Sequence, residues 1–148
     1  MRGTIISRLR PGASKLLRDQ GGNALILTAA ALLLVIGIVG SSIDIGRAYM
    51  TQLRLQQACD AGVLAGRRAM AGGDYGTPQK AEADKMFNIN FPTGIYGSET
   101  VTFASAPSGT SDVTGTASTR LPTAVMFIFG NDAFGLAATC AAELGISN

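Results

Sequence analysis

The sequence predicts an α+β chain: a long N-terminal helix, apolar in its first half and amphipathic in its second, packed on a small antiparallel sheet beside a short extra helix. Three observations carry this. Residues 24–43 hold no charge and no proline, and about twenty helical residues span about 30 Å, the thickness of a bilayer's hydrocarbon core. Residues 44–71 also lack proline, and their apolar residues recur every three or four positions. From residue 99 onward the pattern changes to period two, in Thr, Ser and Val, with Pro, Gly and Ser at the breaks.

Residues 1–23 form a basic tail, with Arg2, Arg8, Arg10, Lys15 and Arg18 against Asp19, a net +4. Pro11-Gly12 breaks it in two, and Leu16-Leu17 between bases suits a turn lying on a membrane surface. Gly21-Gly22 interrupts the chain before Asn23, which is placed to cap the apolar helix. Within residues 24–43, Gly37 and Gly40 stand three apart, so that a second helix can approach closely, or are simply tolerated there. An apolar run of this length exceeds that of a secretory signal and reads as an uncleaved signal-anchor, with cleavage after the small residues Gly40-Ser41-Ser42 as the alternative.

Residues 44–148 read as one small exported domain. Asp44 and Arg47 are spaced to pair at the membrane edge, where Tyr49 is an interfacial aromatic. The stripe Leu55, Ala58/Cys59, Gly62, Ala65/Gly66, Ala69 is small enough to lie on a sheet, which leaves Arg54, Arg67 and Arg68 in solvent. Gly72-Gly73 ends this amphipathic helix (44–71). A short helix is expected over 79–90, entered at Pro78 and offering Ala81, Met86, Phe87 and Ile89 to the core. Strands are expected near 99–105, 112–119 and 135–143. Pro122 to Phe129 between the last two reads as a short helix or a buried crossover.

The composition excludes much chemistry. With no histidine among the 148 residues, neither a Ser-His-Asp nor a Cys-His nucleophile can be assembled. Two distant cysteines are not a zinc set. Gly72-Gly73-Asp74-Tyr75-Gly76 lacks the Lys-Ser/Thr of a phosphate loop, and Asp74, Asp112 and Asp132 lack the alternating acidic spacing of a calcium loop. The expectation is a protein that is not an enzyme, with no cofactor, no metal and no small-molecule substrate. Residues 24–148 carry a net −2, which gives no reason to expect nucleic acid as a partner. The basic tail places the N-terminus in the cytoplasm and the rest across the membrane. In an oxidising compartment Cys59 and Cys140 are expected to form a disulfide, the alternative being two separate buried thiols.

Three runs carry a family resemblance: Gly22-Asn23-Ala24; Ile43-Asp44-Ile45-Gly46-Arg47-Ala48-Tyr49; and Leu55-Gln56-Gln57-Ala58-Cys59-Asp60-Ala61-Gly62-Val63-Leu64-Ala65-Gly66. In order and spacing they resemble the TadE/TadG-like proteins of the tight-adherence (Flp) pilus system, which read G-N-x-A, an apolar run, V-D-x-G-R-x-Y, then L-Q-x-A-x-D-A-A-x-L-A-A. The resemblance implies a pilin-like fold and a bacterial inner-membrane component of type IV-related pilus assembly. Its C-terminal domain would be periplasmic or extracellular, in a surface pilus if the chain polymerises. Processing, if any, falls at Gly22-Asn23. Prepilins carry a glutamate five residues after the cleaved glycine, and here that position is Leu27, which argues against cleavage and removes the usual registering contact between subunits.

The function expected is therefore a non-enzymatic structural subunit: a minor pilin, an assembly factor or a filament subunit. It would assemble through its long helix with copies of itself, with other pilin-like subunits and with the pilus machinery. Ala24, Leu27, Leu34, Gly37, Gly40, Asp44, Arg47 and Tyr49 are the residues expected to carry that packing. The alternative is a single-pass binding or adhesion module with a small external β domain.

Overall fold

The computed structural model of the protein describes residues 20–143, with side chains from residue 24 onward. Helix α1 runs over Gln20–Ala69, so the helix passes through Gly21-Gly22-Asn23 and Asn23 is helical instead of capping. The chain divides after Val39 into two compact units. The described part of the first unit is helix alone. Leu25, Leu27, Leu33 and Leu34 are each at least 64% exposed, and Thr28, the one polar residue among residues 24–39, donates back to the Ala24 carbonyl (2.8 Å).

The second unit begins at Gly40. Its amphipathic helix half buries Thr51, Leu55, Ala58, Cys59 and Val63. The helix stops where Ala71 (φ 47°) and Gly72 (φ 89°) turn left-handed. Helix α2, Thr77–Asn90, follows with a proline in its first turn, and its Gly76 N–H is capped by the Gln79 side chain (3.1 Å). Ala83 and Phe87 are its buried residues. Ala81 and Ile89, expected in the core, are exposed, because the buried face of a short helix is a narrow one and Phe87 fixes which it is. Arg54, expected in solvent, donates to the Asn90 carbonyl at the end of α2 (2.8 Å), and the Nε of Arg67 is buried.

Three strands form one antiparallel sheet in the order β1-β2-β3: β1 Thr102–Ser108, β2 Asp112–Pro122 and β3 Ala133–Ala142. β1 lies later than the period-two pattern suggests and runs through Pro107, which an edge strand tolerates because one side of it needs no donor. β2 alternates strictly, with Val113, Gly115, Ala117, Thr119 and Leu121 buried. The helices cover this face. Phe87 stacks on Phe103 of β1 (centroids 4.3 Å apart, 5° between planes) and near Phe91 (6.2 Å).

The small stripe on α1 serves two neighbours. A Cβ on Gly62 would lie 2.9 Å from the Phe103 ring, and one on Gly66 would lie 3.0 Å from Ala83 of α2. A second close approach of helix and sheet comes from the sheet side at Gly115, where a Cβ would meet Val63 Cγ1 at 2.6 Å and Cys140 Sγ at 2.9 Å. Cys59 and Cys140 are joined by a disulfide that ties α1 to β3 across a sequence separation of 81.

Candidate functional site

The polar chemistry of the second unit concentrates at its start, on Asp44. This carboxylate is 1% exposed and accepts three consecutive backbone N–H bonds from the β2–β3 crossover. Ala124 N–H reaches Oδ1 (2.7 Å), and Val125 and Met126 N–H both reach Oδ2 (2.8 Å each). Those amides open the 3-10 turn Met126–Phe129, whose first N–H groups have no partner within the turn. The carboxylate from α1 therefore caps it from outside, as an anion in a backbone nest.

The crossover is shaped for this. Pro122 ends β2; Thr123 is held by its N–H to the Asp132 carbonyl (3.0 Å) and its hydroxyl to the Asn131 carbonyl (2.6 Å). Gly130, at φ 84°, lets the chain turn back toward β3.

Arg47 completes the arrangement. Its Nη1 lies 3.6 Å from Asp44 Oδ1, and its Nη2 donates to the Tyr96 carbonyl (3.0 Å). Tyr96 is itself left-handed (φ 55°) between Gly94 and Gly97, and a Cβ on Gly97 would sit 3.0 Å from Arg47 Nη2. Thr51 donates to the Arg47 carbonyl one turn along (2.7 Å). Burial pushes the Asp44 carboxyl up, but the N–H groups of Met126, Ala124 and Val125, with the Arg47 guanidinium, outweigh it and hold the pKa below its ordinary value. The group stays ionised and acts as a clasp.

The expected site residues thus separate. Gly40 and Asp44 meet the crossover while Arg47 joins Asp44 to the Tyr96 carbonyl, and Gly40 is packed against Val125, whose Cβ and Cγ2 lie 2.9 and 3.0 Å from where a Cβ would be. Gly37 is half-buried, Tyr49 is 65% exposed, and Ala24, Leu27 and Leu34 are exposed on the first unit. Gly22 and Asn23 are helical, and their side chains lie outside the described residues, as does the basic tail to Asp19. The Asp44–Arg47 pair is local in sequence and was readable as such; the dominant partners of Asp44, 80 to 82 residues away, left no sequence signal.

Two further features escaped the sequence. The 3-10 turn is not buried: Phe127, Ile128 and Phe129 are 53%, 69% and 65% exposed. The outer edge of β3 is covered by α1, since Gln52 and Gln56 donate to the carbonyls of Ala137 (2.7 Å) and Thr139 (2.9 Å). Among the described residues no group of three His, Cys, Asp or Glu side chains is placed to hold a metal.

One helix among the described residues is long and apolar enough to cross a membrane, and the rest of the described chain is a small disulfide-bonded α+β unit. This is the class of chains that pair one candidate membrane helix with a small disulfide-bonded α+β unit. Residues 22–74 match the family model described as "Putative Flp pilus-assembly TadE/G-like", so over α1 and the turn that follows it the chain is similar to that family, which suggests involvement in Flp pilus assembly. No curated protein and no solved structure matches the chain.

Proposed function

We propose that the protein is a non-enzymatic, pilin-like structural subunit of a tight-adherence (Flp) pilus system. Residues 24–43 anchor it in the bacterial inner membrane, with the basic tail in the cytoplasm and the head on the outer side. It assembles laterally through α1, with copies of itself or with other pilin-like subunits.

The observation that carries this reading is where the family match falls. It covers α1, the helix that keeps much apolar surface uncovered by the rest of the described chain. In the first unit the apolar side chains are exposed, and in the second Ile45, Tyr49 and Leu53, at successive turns, stay 46–65% exposed. Apolar helix surface of this kind is buried in a bilayer or against other helices.

Material sheared from whole cells, compared with the membrane fraction by intact mass and N-terminal sequence, tests the proposal. Protein beginning near Asn23 in the sheared fraction would mark a processed pilin. Full-length protein in sheared filaments would mark a polymer that dispenses with processing, in keeping with Leu27 in place of the prepilin glutamate. Full-length protein confined to the membrane would mark an anchored assembly component. Absence from membrane and filaments alike would overturn the reading.

A further inference from the structure

The exposed turn at Met126–Phe129 contributes nothing to the buried core, yet the segment that leads into it is held by three backbone N–H bonds to Asp44. We propose that it is a second membrane contact: Phe127, Ile128 and Phe129 insert into the lipid surface beside the point where α1 leaves the bilayer. The proposal rests on reading residues 24–43 as the membrane span.

Position is the first argument. The turn is docked on Gly40 and Asp44 of α1 through Val125 and the three N–H bonds. Asp44 is the first charged residue after the apolar run. Gly40 lies one helical turn earlier, about 6 Å further into that run. A segment packed on both residues is therefore at the level of the hydrocarbon boundary wherever residues 24–43 are in hydrocarbon.

The second argument is polar satisfaction. Backbone entering lipid must meet its hydrogen bonds internally. The N–H groups of Ala124, Val125 and Met126 are bound by Asp44. Those of Ile128, Gly130 and Asn131 bond the carbonyls of Val125 (3.1 Å), Phe127 (3.0 Å) and Met126 (3.1 Å). The third is composition: three consecutive large apolar residues, two of them aromatic, are what an interfacial insertion uses and what a water-facing turn avoids. Continuity with the apolar run selects lipid over a second protein chain as the occupant.

The chain contains no tryptophan, so a single introduced indole reports its own environment. Full-length Phe127→Trp, Ile128→Trp, Leu33→Trp and Ser108→Trp variants would be reconstituted in phosphatidylcholine–phosphatidylglycerol vesicles whose acyl chains are brominated near the headgroup or near the chain end. Leu33 lies within the apolar run, and Ser108 ends β1 at an exposed hairpin. The expected result is quenching of both turn variants at least about twofold stronger than that of Ser108→Trp, and greater with the headgroup-proximal bromines, as for an insertion about 5–10 Å deep. Leu33→Trp should be quenched by the chain-end bromines.

Quenching at Leu33→Trp without quenching at either turn variant would overturn the proposal and leave the span standing. A blue-shifted, unquenched turn indole would then assign the patch to a second protein copy, and a red-shifted one to water. No quenching at Leu33→Trp would overturn the span itself, and the second contact with it.

Discussion

The head is held together in two different ways at its two ends. Around Cys59 the contacts are covalent and apolar: the disulfide, Leu55 and Val63 under the sheet, and Phe87 stacked on Phe103. At Asp44 the crossover is held by one ionised side chain and three amides. The apolar end is indifferent to pH and is coupled to global folding. The polar end depends on a charge, and the segment it ties down contributes no residue to the buried core cluster. The difference teaches that the second unit has one part packed around Cys59 and another, at its start, held by a single buried charge.

The largest expected effect comes from cutting the covalent link. In the chain-entropy account, closing a loop of 81 residues' separation restricts the unfolded state by about 4.5 kcal/mol. A Cys59→Ala/Cys140→Ala double variant should lose stability of that order in denaturant unfolding of the full chain in detergent. Asp44 would keep its partners in whatever folded fraction remains. A loss under about 1 kcal/mol would show that α1 and β3 are already docked by packing alone.

The polar end should answer to a different perturbation. The Asp44 pKa is held below its ordinary value, so the stability it contributes is fully present above the ordinary carboxylate value and fades as pH falls through the lowered one. Amide exchange at Ala124, Val125 and Met126 should therefore accelerate selectively below about pH 4, relative to the core amides of β2. Asp44→Asn should do the same at neutral pH, by roughly tenfold or more, because its NH2 would face N–H donors that need an acceptor. Uniform acceleration across β2 as well would mean that the two ends unfold as one.

How much of this was readable in the sequence follows the same division. The long helix was legible because its signal is local: no proline from residue 12 to residue 77, a charge-free run, then a helical stripe. The disulfide was legible because there are only two cysteines. β2 was legible from its alternation, though it runs on to Pro122. The crossover was not. A mostly apolar run without a period suits a buried segment as well as an exposed one, and only the remote contacts of Asp44 and Gly40 decide between them. Arg54 was misread for a similar reason, since its partner is the last carbonyl of α2 and helix-wheel position alone does not reveal a neighbour at the rim.

The smallest expected effect concerns the side of the apolar end. β3 is an edge strand, and Gln52 and Gln56 occupy its outward carbonyls at Ala137 and Thr139. Each such bond is worth about 0.5–1.5 kcal/mol, so a Gln52→Ala/Gln56→Ala variant should unfold only slightly more easily than the parent. Its consequence lies elsewhere. An uncovered edge presents free carbonyls to any other strand, and the variant should self-associate more readily in detergent, seen as a larger sedimenting species at the same concentration. Restoring one glutamine should recover part of the monodispersity. An unchanged sedimentation profile would show that the flank of α1, with the glutamine side chains removed, still keeps other strands from the edge. In that case the helix backbone, and not its two amides, protects the sheet.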